Sequence, residues 1–123
     1  MLMNDFYTCH DVVQTDNEYN ARVVFNPDHA ILKGHFPGQP VVPGVCMMEL
    51  IKDVLQLQVD MPLMLSKADN VKFLQLIVPG IEPSLKMTWK EDNGVYTVNA
   101  LLKTDAAQHF KCVARYIRSE FAN

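Results

Sequence analysis

One stretch of this chain, from Val45 to about Val59, has the composition and length of a helix. Neither proline nor glycine interrupts it, and residues that tolerate helix well dominate it. Pro43-Gly44 stands directly before it, and Asp60-Met61-Pro62 ends it. Its polar residues recur at i, i+3, i+4 and i+7 in one narrow stripe, which predicts a helix that is covered on most sides. The stripe consists of Glu49, Lys52, Asp53 and Gln56.

Around this helix the pattern changes to the two-residue period of half-buried strands. Asn93-Gly94 separates two of the strand candidates and is among the strongest short signals for a β-hairpin. The sequence therefore predicts an α+β fold in which a long antiparallel meander curls around one helix. Such a sheet has edge strands, which are commonly paired in a dimer. The strand candidates are 19–25, 71–78 (closed by Pro79-Gly80), 85–90, 95–103 and 110–116, and residues 29–33 are expected to form a short turn or strand.

Length, charge and cysteine usage narrow the class of protein. A chain of 123 residues with 49% hydrophobic and 20% charged residues predicts one folded domain, spanning 1–123. The net charge of −3 argues against a nucleic-acid partner, and the apolar runs are too short to span a membrane. Three scattered cysteines favour reduced thiols, and the first five residues carry no export signal, so we expect a cytoplasmic protein. The cysteines are Cys9, Cys46 and Cys112.

Residues 34–49 bring an imidazole and a carboxylate close together in the sequence. His35 and Glu49 are of the two types best suited to proton transfer near neutral pH. Three prolines stiffen the segment between His35 and the helix, and fixed geometry benefits a catalytic base. The helix start at Gly44 offers free backbone N–H groups to an anion. The pattern therefore indicates an acid–base site with an oxyanion donor.

Simpler interpretations exist for the same residues. The polar stripe that Glu49 opens can simply be a solvated face, as such stripes on helices usually are. Glu49 and Lys52 can then form a surface pair of small energetic value. His35 can merely stabilise a turn. Cys46, in an apolar part of the helix, is expected to be a buried and inert thiol. The remaining histidines are isolated and are interpreted as structural or surface residues: His10, His29 and His109.

Three motifs occur together between residues 30 and 117. They are His35-Phe36-Pro37-Gly38-x-Pro40, Pro43-Gly44-Val45 followed by Glu49, and Val71-Lys72-Phe73 leading to Val78-Pro79-Gly80. In these motifs and their spacing the chain resembles the 3-hydroxyacyl-[acyl-carrier-protein] dehydratases of the FabZ/FabA type. That resemblance implies the hot-dog fold, a long central helix wrapped by a curved antiparallel sheet. It also implies dehydration of a 3-hydroxyacyl thioester to the trans-2-enoyl thioester.

The resemblance assigns roles to five residues. His35 would remove the proton next to the thioester carbonyl, and Glu49 would help the 3-hydroxyl group leave as water. Gly44 would present its amide N–H to the thioester oxygen, and Val45 and Phe36 would bind substrate beside it. The family's site is shared, so that His35 of one protomer would face Glu49 of the other in a homodimer or a dimer-based oligomer. An acyl carrier protein would bring the substrate, and neither a metal nor an organic cofactor is expected.

The sequence departs from the family's pattern at several positions. Asp53 stands where the family usually has glutamine, Gln39 where histidine is frequent, and Leu74-Gln75 where arginines are common. Two other functions fit the fold. A hot-dog thioesterase would cleave the thioester with a carboxylate and water, and a non-catalytic acyl-binding or assembly subunit would keep the fold alone. The spacing of His35 and Glu49 favours the dehydratase.

Overall fold

The computed structural model describes residues 1–33, 38 and 40–120. Within these ranges the chain forms two helices and six strands. In chain order they are β1 (Tyr7–Thr15), β2 (Glu18–Phe25), α1 (Ala30–Lys33), α2 (Gly44–Val59), β3 (Leu63–Phe73), β4 (Ser84–Asp92), β5 (Val95–Lys103) and β6 (Gln108–Arg118). Nothing among the described helices combines the length and the apolar character that crossing a membrane requires.

The six strands form one antiparallel sheet in the order β1-β2-β4-β5-β6-β3. β4 and β5 are joined by the predicted hairpin, where Asn93 and Gly94 have φ angles of +50° and +82°. Two successive left-handed residues give the tight turn whose twist matches the strands, and Asn-Gly tolerates that conformation best. β1 and β3 lie at the two edges of the sheet. The hairpin prediction is therefore confirmed.

The core lies between α2 and the inner face of the sheet. β2 alternates strictly between half-buried and buried residues, and the same inward alternation runs along β4 and β6. On α2, four apolar side chains have no exposed surface, which confirms that the helix is largely covered. These side chains are those of Leu50, Ile51, Val54 and Leu55. The helix ends at Asp60, whose left-handed backbone closes the last turn with a hydrogen bond to Gln56.

Two elements differ from the sequence prediction. β1 was not predicted, because its register shifts between His10 and Val13 and the two-residue period is broken there. β3 ends at Phe73 instead of running over 71–78, since the backbone N–H groups of the next two residues both donate to one carbonyl, that of His109. Residues 30–33 form one short helical turn, which agrees with the first of the two alternatives, turn or strand, predicted for 29–33.

Candidate active site

The predicted site residues divide into two groups. His35 and Phe36 lie outside the described residues. Gly44, Val45 and Glu49 lie together on the first two turns of α2, with Val45 71% exposed and Glu49 half-buried. The structure therefore places the oxyanion and acid candidates at one end of one helix.

The N-terminus of α2 carries no protein group that would neutralise it, as far as the described residues go. Pro43 takes the cap position in an extended conformation and makes no side-chain capping bond, and the first turn contains no acidic residue. The N–H groups of the first turn form the positive end of the helix dipole, and no counter-charge among the described residues of that turn neutralises them. An oxygen that gains negative charge during a reaction is stabilised at such a position.

A mostly apolar groove of about 330 Å³ opens beside Gly44. The ring of Phe73 forms part of its wall and packs against Phe110 at a centroid distance of 5.3 Å. A Cβ atom on Gly44 would lie 2.8 Å from Cε1 of Phe73, so the close approach of this ring requires glycine. The groove is lined by Val41, Val42, Gly44, Met47, Phe73, Leu74, Gln75 and Leu76.

This contact between Gly44 and Phe73 predicts coupled effects on stability. Gly44→Ala is expected to lower the free energy of unfolding by about 1 kcal/mol, because overpacking of about 1–3 kcal/mol outweighs the helix-propensity gain of alanine. In a Phe73→Leu background, which lacks the clashing ring atoms, the cost should disappear. A double-mutant cycle measured by urea denaturation checks this. Strictly additive effects of the two substitutions would show that the ring does not constrain Gly44.

Glu49 forms an ion pair with Lys52, its carboxylate Oε1 lying 3.3 Å from the ammonium nitrogen. This is the surface pair that the simpler interpretation predicts, and with side chains 43% and 29% exposed it contributes little to stability. The same carboxylate also acts on buried neighbours. Burial raises the pKa of the Cys46 thiol, and the charge of Glu49 raises it further. Glu49 therefore sits at the boundary between solvent and the core.

Asp53, one turn after Glu49, is completely buried. Its Oδ2 atom accepts hydrogen bonds from the backbone N–H of Leu2, at 2.9 Å, and from the hydroxyl of Tyr7, at 3.1 Å. Its Oδ1 atom has no hydrogen-bond partner among the described residues. Burial raises the pKa of Asp53, its two hydrogen bonds lower it, and the charge of Glu49 raises it. The solvated-stripe interpretation is therefore wrong for Asp53.

Two other side chains with reactive groups, those of Cys46 and His109, are buried. Cys46 is buried, and its raised pKa makes the thiol a poor nucleophile, as predicted. His109 is buried and lies within hydrogen-bond distance of Thr104 Oγ1 and of the Leu76 carbonyl, both at 3.2 Å. It connects β6 to the segment after β3. Within residues 1–33, 38 and 40–120, no three potential metal ligands come together.

Solved structures of similar shape define the class of fold. One chain of the dehydratase heterocomplex ApeI:P from Xenorhabdus doucetiae matches with a TM-score of 0.75, at 23% identity, over 89% of this chain and 96% of that chain. A hypothetical thioesterase from Streptococcus pneumoniae, solved with coenzyme A, matches with a TM-score of 0.65, at 8% identity, over 95% and 91%. The fold is the hot-dog fold, as the sequence predicts.

The family follows from the sequence comparison. The model of the ApeI-like dehydratases matches residues 11–112, and the chain belongs to this family. A 3-hydroxyacyl-[acyl-carrier-protein] dehydratase FabZ from Dinoroseobacter shibae is 34% identical over 74 residues, 53% of this chain and 44% of that protein. An uncharacterized thioester dehydrase from Halalkalibacterium halodurans is 39% identical over 71 residues, 51% of this chain and 46% of that protein. The matches thus span less than half of these relatives, and they support the predicted FabZ/FabA-type family.

Proposed function

We propose that this protein dehydrates a 3-hydroxyacyl thioester to the trans-2-enoyl thioester in a site shared by two protomers. The observation that carries the proposal is the arrangement at the start of α2. Within the described residues, a Gly44 amide without a side-chain cap, a half-buried carboxylate at Glu49 and an apolar groove lie within two helical turns, in a chain of the dehydratase family. Each of these features serves one part of an elimination.

The reaction begins with loss of the proton on C2. His35 takes this proton as general base, and the charge that develops on the thioester oxygen is stabilised by the Gly44 N–H group and the helix dipole. Electrons from the C2–H bond form the C2=C3 double bond. The C3–O bond breaks, and the hydroxyl group takes a proton from the Glu49 carboxyl group and leaves as water. His35 then returns its proton to solvent and Glu49 is reprotonated.

The site is proposed to be completed by a second copy of the chain. β3 lies at the sheet edge and, among the described strands, pairs with β6 alone, so its other side is free to pair. Apolar side chains are exposed at both ends of this strand, with Leu65 45% and Phe73 56% exposed. Val45, beside Gly44, is more exposed still. A dimer would cover these surfaces and bring His35 of one protomer to Glu49 of the other.

We further propose that the substrate is carried on acyl carrier protein, as it is by name in the Dinoroseobacter shibae relative. The groove beside Gly44 is open and mostly apolar, which suits an acyl chain or the arm that presents it.

The test is to supply a 3-hydroxyacyl carrier-protein thioester and to follow the product by mass spectrometry. The proposal predicts loss of one water and retention of the thioester. A free carrier thiol would instead identify a thioesterase, and an unchanged substrate bound to the protein would identify an acyl-binding subunit. Either result would refute the dehydratase proposal.

A further inference from the structure

Only one of the two carboxyl oxygens of Asp53 accepts hydrogen bonds from the described residues. Two donors, the Leu2 N–H and the Tyr7 hydroxyl, both point to Oδ2. Oδ1 is buried and has no partner among the described residues. An ionised carboxylate with an open oxygen in apolar surroundings is costly, whereas a protonated one loses far less on burial. Since Oδ2 already accepts two hydrogen bonds, Oδ1 is the oxygen on which a proton would reside.

Glu49 is the carboxyl group nearest to Asp53 along the helix. The two residues are spaced i and i+4 on α2, which places their Cβ atoms about 5–6 Å apart on one face. A direct contact or a single bridging water can close that separation. Two carboxylates so close, one of them buried, are unfavourable when both are ionised. A single proton shared by the two carboxyl groups relieves this repulsion.

The surroundings decide which of the two carboxyl groups holds this proton. Lys52 lies 3.3 Å from Glu49 and gives its carboxylate a counter-charge. Among the described residues no ion pair joins Asp53 to a basic side chain: the groups that act on it are the Leu2 N–H, the Tyr7 hydroxyl, Glu49 and the amino terminus. Of these, Glu49 acts through its negative charge, and burial outweighs the rest in raising the pKa. Of the two carboxyl groups, the buried one is therefore the one that favours the proton.

We propose that Asp53 is a positioning residue that stores the proton which Glu49 delivers to the leaving hydroxyl group. This inference rests on the proposed dehydration. The proton passes from Asp53 Oδ1 to Glu49, leaving Asp53 ionised, and from Glu49 to the hydroxyl oxygen as the C3–O bond breaks. After product release, Asp53 regains one proton from solvent, into which His35 has released the proton of C2. One water is formed and the protein returns to its starting state.

Asp53→Asn is the matched substitution for this test. The asparagine oxygen can accept the same two hydrogen bonds from Leu2 and Tyr7, and the side chain has the same shape, but it holds no acidic proton. We expect kcat to fall at least about tenfold with KM nearly unchanged, because a positioned proton donor contributes roughly 10²–10⁴-fold in rate. The high-pH decline of kcat that Asp53 causes in the wild type should also be lost.

Tyr7→Phe is the second variant, and it keeps the proton. It removes one hydrogen bond that lowers the pKa of Asp53, so the pKa should rise further. Because the stored proton is present below this pKa, the decline of kcat should move to higher pH while kcat at low pH is kept. An Asp53→Asn variant with wild-type kcat and pH profile would overturn the inference, as would a Tyr7→Phe profile without any shift. A wild-type protein that forms no enoyl product refutes the proposed function instead.

Stability measured against pH gives a readout that needs no activity. The folded pKa of Asp53 is raised above its ordinary value of 3.8, so between the two values the folded state binds more protons than the unfolded state. The contribution of Asp53 to stability is therefore largest below the ordinary value and is lost as pH rises through the folded pKa. Urea denaturation over this range should show the fall in the wild type and its absence in Asp53→Asn. The same fall in both proteins would mean that Asp53 stores no proton.

Discussion

Glu49→Gln is expected to lower kcat for dehydration by about 10²–10⁴-fold, the usual contribution of a positioned general acid. Glutamine has the shape of glutamate and keeps an oxygen and an N–H group in place, but it cannot give a proton to the leaving hydroxyl group. Binding should change little, since the apolar groove beside Gly44 is left intact. His35→Ala is expected to lose at least as much, because it removes the base that takes the C2 proton. Steady-state kinetics with the carrier-protein substrate measures both.

The matched control for Glu49 is Glu82→Gln. Glu82 is a carboxylate of similar exposure, 46% against 43%, and it also forms an ion pair, with Arg22 at 2.7 Å. It lies just before β4, outside the proposed site, so its replacement should leave kcat and KM as they are and change stability by no more than about 0.5 kcal/mol. If Glu49→Gln were as active as Glu82→Gln, the Glu49–Lys52 pair would be only a surface ion pair.

Leu50→Ala is expected to lower the free energy of unfolding by about 2–5 kcal/mol. Leu50 points from α2 into the sheet and has no exposed surface, so its truncation removes apolar contacts and leaves a cavity. Leu57, on the same helix and 52% exposed, is the control, and Leu57→Ala should cost no more than about 0.5 kcal/mol. Urea denaturation at one fixed protein concentration compares the two, because dimerisation would make stability depend on concentration.

Equal losses at the two leucines would contradict the burial pattern of α2. A small cost at both positions would mean that the helix does not pack in the curve of the sheet. A large cost at both would mean that Leu57 is buried by something beyond a single chain, and the concentration dependence of its stability would then identify a second copy.

The helix and four of the strands could be predicted because their signals are local. Pro43-Gly44 and the proline after Asp60 set the limits of α2. The alternation of apolar and polar residues located β2, β4 and β6. The Asn93-Gly94 turn requires no information from elsewhere in the chain, since both residues accept left-handed backbone angles. Such features depend on residues within one or two turns of each other.

β1 and the true extent of β3 depend on pairing that alternation does not report. Both strands lie at sheet edges and contain shifts of register, at His10 to Val13 in β1 and at two places in β3. Each bulge reverses the inside–outside pattern, so that no single period runs through the strand. The end of β3 is set by the His109 carbonyl on another strand, which sequence spacing does not reveal.

The sequence pattern puts Asp53 on the solvated face of the helix instead of in the core, and the reason is again a contact with a strand that the pattern does not predict. On a helical wheel it belongs to the polar stripe with Glu49, Lys52 and Gln56, but β1 and the residues before it cover this position and supply the donors from Leu2 and Tyr7. Because the sequence does not predict β1, nothing in it indicates that part of the polar stripe is buried. The one available signal was the aspartate itself, at a position where the FabZ/FabA-type family usually has glutamine.

The sharing of one site by two protomers is tested most directly by mixing two inactive variants. His35→Ala and Glu49→Gln are co-expressed with different affinity tags, and the mixed dimer is purified through both. If His35 of one protomer works with Glu49 of the other, each mixed dimer contains one intact site and one that carries both substitutions. Its turnover should then be about half that of the wild-type dimer, while each parent variant stays inactive. A mixed dimer as inactive as its parents would contradict the shared site.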